Sequence, residues 1–178
     1  MGRSRYRVYD PSYPYFITSS VVNGYPIFSN PLAAQVILNA LNFIQKKRDA
    51  TVYAYVIMEN HIHVVLQHDQ LPKQVQEFKS WTARSIIDLF SENGHTFQLF
   101  KLRKAKNPRH SDSVHQIWQE GYYPKKIFGD EMMIQKIEYI HNNPVKRGFV
   151  DRPEDWRYSS MRNYLGMESL IPVTLFEL

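Results

Sequence analysis

Thr51-Val52-Tyr53-Ala54-Tyr55-Val56-Ile57-Met58-Glu59-Asn60-His61-Ile62-His63-Val64-Val65-Leu66-Gln67 consists of two apolar, β-branched runs separated by a three-residue connection. This pattern predicts a β-hairpin with Thr51 to Ile57 as one strand and Ile62 to Gln67 as the next, turning through Met58-Glu59-Asn60. Side chains alternate across a strand, so His61 and His63 share one face near the turn. Two imidazoles on one face can hold one metal ion.

Working outward, Tyr15 to Val22 is rich in aromatic and β-branched residues and follows Pro11 and Pro14, which suits a first strand. A helix follows, capped by Ser29 or Asn30, with Pro31 in its first turn and Val36, Ile37, Leu41 and Ile44 recurring up to the basic end Lys46-Lys47-Arg48. Gln74 to Phe90 predicts a second helix, with Gly94 just beyond its end. From there apolar periodicity fades while Lys101, Arg103, Lys104, Lys106, Arg109 and His110 accumulate, so residues 95–113 read as a basic, mobile loop. Val114 to Phe128 predicts one or two short strands, and Asp130 caps a helix that ends before Pro144. The order of elements implies an α+β, ferredoxin-like or RRM-like sandwich: an antiparallel sheet with helices on one face, forming a single domain over 1–178. Many functions use that scaffold, so function must be read from a site.

Composition narrows the chemistry. The 178 residues include no cysteine, which excludes disulfides, thiolate metal sites and cysteine nucleophiles, so a metal must sit on His, Asn, Gln or carboxylate. The formal net charge of +5 fits a polyanionic partner. No apolar signal core or run of membrane-spanning length is present, so a cytoplasmic protein without a membrane partner is expected.

A second feature, Tyr139-Ile140-His141-Asn142-Asn143-Pro144, offers a phenol and an amide one helical turn apart. At about 100° per residue, Ile134, Ile137 and His141 form one stripe, and Tyr139 and Asn143 fall on roughly the opposite side. That second side would face the sheet and bring Tyr139 and Asn143 toward His61 and His63. Taken singly, a tyrosine or a strand histidine is explained by packing alone. Together they point to a bound divalent ion polarising a phosphodiester for attack by Tyr139.

The stretch Met58-Glu59-Asn60-His61-Ile62-His63-Val64-Val65-Leu66 resembles the HUH motif, and Tyr139 to Lys146 resembles the tyrosine helix of REP-associated tyrosine transposases, members of the single-tyrosine HUH transposases. Phe78-Lys79-Ser80-Trp81-Thr82-Ala83-Arg84, Trp118-Gln119-Glu120-Gly121-Tyr122-Tyr123 and Trp156-Arg157-Tyr158-Ser159-Ser160 extend the resemblance over most of the chain. It implies that Tyr139 is the nucleophile, forming a 5′-phosphotyrosine with single-stranded DNA and leaving a free 3′-hydroxyl. It also implies that His61 and His63 are catalytic ligands of Mg²⁺ or Mn²⁺, with Asn143 as third ligand where related insertion-sequence enzymes carry Gln. The expected partner is a single-stranded DNA with a REP-like palindromic hairpin, and the expected state is a monomer rather than a homodimer.

Lys79, Arg84, Lys101, Arg103, Lys104, Lys106, Lys125, Lys126, Lys146 and Arg147 are candidate DNA-binding positions, interspersed with Tyr and Trp that offer stacking surfaces. Trp81, Trp118 and Trp156 fit equally as core anchors. Tyr122 and Tyr123 are reserve nucleophiles. Two further readings stand beside DNA transposition: a domesticated hairpin-DNA-binding protein with little or no cleavage activity, and a small-molecule hydrolase whose metal activates water.

Overall fold

The structure, a computed structural model, describes residues 10–108 and 113–177. Its strands are β1 (Tyr15–Ser20), β2 (Thr51–Ile57), β3 (His61–Gln67) and β4 (Tyr123–Lys126); its helices are α1 (Pro31–Lys47), α2 (Leu71–Glu92), α3 (Thr96–Lys104), α4 (Gly129–Lys146) and the short α5 (Met161–Tyr164). The sheet is antiparallel with order β2-β3-β1-β4. The predicted hairpin is β2 and β3, and the predicted α+β sandwich is the observed architecture.

Asn30 starts α1 by accepting the N–H groups of Leu32 and Ala33 on its side-chain oxygen, at 2.9 and 3.4 Å. Ile37, Leu41 and Ile44 of α1 and Val75, Phe78 and Ile86 of α2 then cover Ile17, Val52, Tyr55, Ile57, Ile62, Val64 and Leu66 on one sheet face. The expectation of helices on one face holds for this pair alone. Met133, Ile137 and Ile140 of α4 cover Ala54, Val56, Met58 and Val65 on the other face. All residues from His61 to Leu66 are consequently buried, because β3 is sandwiched on both sides. A bulge between Val52 and Ala54 shifts the register once and sets the alternation that follows it.

Three expectations are corrected. The segment 95–113 is not a loop throughout, since Thr96–Lys104 is helical; Arg109 and His110 lie outside the described residues, as does the basic start of the chain. Lys101, Arg103 and Lys104 occupy the last turn of α3, where cations complement the exposed carbonyl end of the helix, while Leu102 anchors it in the core. A charge run therefore marked a helix terminus. The fourth helix also continues through Pro144 to Lys146, because proline forfeits a single N–H bond there and the Arg147 and Phe149 N–H groups still reach the Asn143 and Pro144 carbonyls. Phe128, not Asp130, holds the cap position, and Asp130 and Glu131 sit in the first turn against the positive end of the helix.

The outer edge of β2 is covered by the chain's own C-terminal segments: Ile57 and Ser160 N–H groups bond the Tyr158 and Tyr55 carbonyls, and Thr174 N–H bonds the Val52 carbonyl. Among the described residues, no helix is long and apolar enough to cross a membrane.

Candidate active site

The strand register builds the site. Ser20 lies opposite His61, Thr18 opposite His63 and Phe16 opposite Val65, so all six residues point to the face covered by α4. The two imidazole centroids are 4.8 Å apart. His61 Nδ1 contacts Asn60 Oδ1 at 2.6 Å and His63 Nδ1 contacts Thr18 Oγ1 at 2.8 Å. The Asn60 amide oxygen can only accept, so His61 Nδ1 donates and leaves its Nε2 lone pair for a ligand; the Thr18 hydroxyl can accept from His63 Nδ1 in the same way when His63 Nε2 serves as a ligand. Burial pushes the His63 pKa down to about 3, aided by the charges of His61 and Arg147; burial and Arg147 also lower that of His61, against an opposing pull from Glu59. Both shifts favour the neutral imidazole, the form in which histidine binds a metal.

The turn that carries them is tied down. Val21 N–H bonds the Asn60 carbonyl at 2.8 Å, Phe28 N–H bonds the Glu59 carbonyl at 2.9 Å, and the Asn60 amide donates to the Gly24 carbonyl at 3.2 Å. Gly24 has φ +64°, a left-handed conformation that suits glycine and lets its carbonyl meet Asn60.

From the opposite side, α4 presents Tyr139. Its ring stands edge-on to His63 with centroids 5.4 Å apart and edge-on to Phe16 at 5.7 Å, while the side chain stays partly open to solvent. The buried stripe of α4 is Met133, Ile137, Ile140, His141 and Pro144, with Asn143 also buried. Asn143 borders this stripe, while Tyr139 lies farther round the helix and reaches Phe16 and His63 through its long side chain. Asn143 Oδ1 is buried and has no hydrogen-bond partner. His141 points elsewhere: its Nε2 meets Ser160 Oγ at 2.9 Å.

Two neutral imidazoles and one buried, unpartnered amide oxygen fit a divalent cation, with coordination positions left for phosphate oxygens and water. Among the described residues, no group of three His, Cys, Asp or Glu could hold a metal ion, so a third protein ligand beside these histidines would be a donor of another kind, such as the Asn143 amide oxygen.

The candidate cations divide into groups. Lys125 lies opposite Phe16 in the register and so on the histidine face. Lys146 Nζ is 5.6 Å from the centre of the Tyr139 ring, and Arg147 bonds Glu59 beside the histidines at 2.8 Å. Lys136, which the sequence reading missed, sits 5.4 Å over Phe16 and 5.9 Å from the Tyr139 ring centre. Only long-range pairing reveals it, as it reveals Phe16 and Thr18. Lys101, Arg103, Lys104 and Lys106 lie on or just after α3 in the layer of α2 and the exposed Arg84, with Lys101 Nζ 4.4 Å over Phe97. Lys79 and Lys126 are engaged within the fold. The Lys79 ammonium donates to the Gln119 carbonyl at 2.9 Å and to the Gly121 carbonyl. Lys126 pairs with Asp10 at 3.0 Å and lies 3.7 Å over the Tyr13 ring.

Trp118 donates to Thr82 Oγ1 at 3.0 Å inside the core and Trp156 donates to the Ile57 carbonyl at 3.1 Å, so both are anchors; Trp81 is exposed. Tyr122 packs against the α1–α2 core, away from the histidines, whereas Tyr123 is exposed and lies opposite Thr18 on their face.

An antiparallel sheet whose histidine pair faces a helix-borne tyrosine describes a class of site, and sequence comparison assigns the family. The description "Transposase IS200 like" matches residues 13–143, a span that holds both histidines, Tyr139 and Asn143. The chain belongs to this IS200-like transposase family. It is 31% identical over 108 residues, 60% of its own length and 56% of the relative's, to a Haemophilus influenzae protein named "Putative REP-associated tyrosine transposase". It is 23% identical over 126 residues to the REP-associated tyrosine transposase of Escherichia coli, covering 71% of this chain and 63% of that one. The matches thus span less than two thirds of either relative. A solved REP-associated tyrosine transposase bound to a REP hairpin shares the fold, with a TM-score of 0.67 at 18% identity over 100% of this chain and 95% of that one.

Proposed function

We propose that this transposase-family chain is a metal-dependent single-stranded DNA endonuclease and strand transferase that acts at DNA hairpins through a 5′-phosphotyrosine on Tyr139. The observation that carries the reading is the packing of Tyr139 against His63, 5.4 Å between ring centres, on the helix that also carries the unpartnered oxygen of Asn143. A divalent cation, Mg²⁺ or Mn²⁺, held by His61, His63 and Asn143 would polarise the scissile phosphate. Tyr139 Oη attacks phosphorus, the bond from phosphorus to the 3′-oxygen breaks, and that oxygen leaves as a 3′-hydroxyl after taking a proton. Lys136 and Lys146, near the Tyr139 ring, place positive charge beside the position that the scissile phosphate would take. The phosphodiester energy is kept in the protein–DNA bond, so a 3′-hydroxyl can reverse the step and join strands.

Hairpin DNA is proposed as the partner because the structural neighbour of the same fold is bound to one. The monomer reading is supported by the covered edge of β2. Incubating the protein with labelled hairpin DNA carrying single-stranded arms, with Mg²⁺ or Mn²⁺, tests the proposal through the product ends. The expected products are an extendable 3′-hydroxyl and a 5′ end blocked by protein; binding without cleavage would favour the domesticated binder, and two free ends would favour a water nucleophile.

A further inference from the structure

Glu59 and Arg147 come from opposite sides of the site. Glu59 sits in the β2–β3 turn, two residues before His61, and Arg147 caps α4, four residues after Asn143. Arg147 Nη1 donates to Glu59 Oε1 at 2.8 Å, with the guanidinium side chain 44% exposed and the carboxylate side chain 19% exposed. The second carboxylate oxygen, Oε2, is buried without any hydrogen-bond partner. A buried carboxylate oxygen without a partner is costly, and an ion pair whose guanidinium is open to solvent returns little stability, so folding alone gives poor reason for the arrangement. Its location supplies a better one. The pair joins the turn that carries His61 to the end of the helix that carries Tyr139 and Asn143, so it bridges the two sides of the candidate site.

We propose that Glu59 is a built-in stand-in for a DNA phosphate: it holds Arg147 in place until the phosphodiester of a bound single strand takes over the guanidinium. The idea rests on the DNA-processing reading above and gives the two residues separate roles. Arg147 is the substrate-binding residue, because guanidinium forms charge-assisted, directional bonds to phosphate oxygens. Glu59 is a positioning residue that orients Arg147 and, once displaced, repels the incoming phosphate unless a cation lies between them. The rigid turn, fixed through the Glu59 and Asn60 carbonyls, keeps the carboxylate from swinging away. The pair thereby couples tight DNA binding to the presence of a divalent ion.

The experiment measures affinity for a hairpin oligonucleotide with single-stranded arms in a Tyr139→Phe background, which removes turnover, with EDTA and then with Mn²⁺. Arg147→Gln is expected to weaken binding about ten-fold in both conditions, the order lost with one charge-assisted bond, and Arg147→Lys to restore part of it. Glu59→Gln is expected to bind several-fold more tightly than the parent in EDTA, with the gap closing in Mn²⁺. Thermal melting of each variant identifies any loss that comes from unfolding. Folded Glu59→Gln and Arg147→Gln proteins that bind within two-fold of the parent in both conditions would overturn the inference, as would Glu59→Gln binding more weakly in EDTA. Failure of the parent itself to bind the hairpin would instead strike the DNA-processing reading.

Discussion

Phe16 stacks on His63, with centroids 5.2 Å apart and 23° between the rings, and the edge of Tyr139 meets both. One phenylalanine on β1 therefore sets the angle between a proposed ligand and the proposed nucleophile. Replacing Phe16 by Ala should cost about 1–2 kcal/mol of stability from lost burial and ring contact. Cleavage should fall by roughly ten-fold or more, because a misplaced nucleophile loses rate steeply. Phe16→Leu should regain most of the stability without regaining the rate. Urea melts and single-turnover cleavage measure the two effects, and full activity in the leucine variant would remove Phe16 from the positioning role.

Asn143 carries an opposite expectation for stability and function. Its unpartnered Oδ1 is buried, a loss of about 1–3 kcal/mol for a polar atom without a bond. Asn143→Leu, similar in shape, should melt at the same or a higher temperature while the Mn²⁺ concentration needed for half-maximal cleavage rises about ten-fold. An unchanged metal requirement would take Asn143 out of the ligand set.

Lys79 should behave as a structural residue. Burial lowers its pKa to about 8 from the usual 10.5 although two carbonyls accept from it. The folded protein releases that proton earlier than the unfolded chain does, so this group's contribution is fully present above about pH 10.5 and is lost as pH falls through 8. Wild type should therefore gain stability between pH 8 and 10.5, and Lys79→Met should lack that part of the gain. The salt dependence of its DNA binding should match wild type, and a flatter slope would return Lys79 to the DNA contacts.

The α3 cations lie in the helical layer on the far side of the sheet from His61 and His63. Neutralising Lys101, Arg103, Lys104 and Lys106 together should flatten the salt dependence of hairpin binding by at most about 0.7 per phosphate released on single strands. The cleavage rate of saturated complex should stay the same. A changed sequence preference with an unchanged slope would mean that this segment reads bases.

The site's polar core was legible because strand alternation is strict: His61 and His63 share a face whatever the tertiary structure, and the Tyr139–Asn143 spacing is one turn in any helix. The sequence failed where a second chain segment decides the outcome. Lys79 reads as a surface cation until Gln119 and Gly121 fold over it. Lys136 and Phe16 gain their place only when α4 crosses β1. Helix α3 buries only Leu102, so its apolar periodicity is too weak to reveal a helix beneath its charges. Pro144 is a helix breaker in isolation, yet it sits in the last turn, where the missing bond matters least.

The central claim is that Tyr139 is the covalent nucleophile, and the measurement that tests it most directly is the mapping of a protein–DNA adduct. Wild type, Tyr139→Phe and Tyr123→Phe are each incubated with labelled hairpin DNA and Mn²⁺, denatured in SDS and digested for mass spectrometry. The account predicts an SDS-stable adduct in wild type and Tyr123→Phe, with the nucleotide on the peptide containing Tyr139, and neither adduct nor cleavage in Tyr139→Phe, which still binds the DNA. An adduct that persists in Tyr139→Phe, or cleavage there without any adduct, would contradict it.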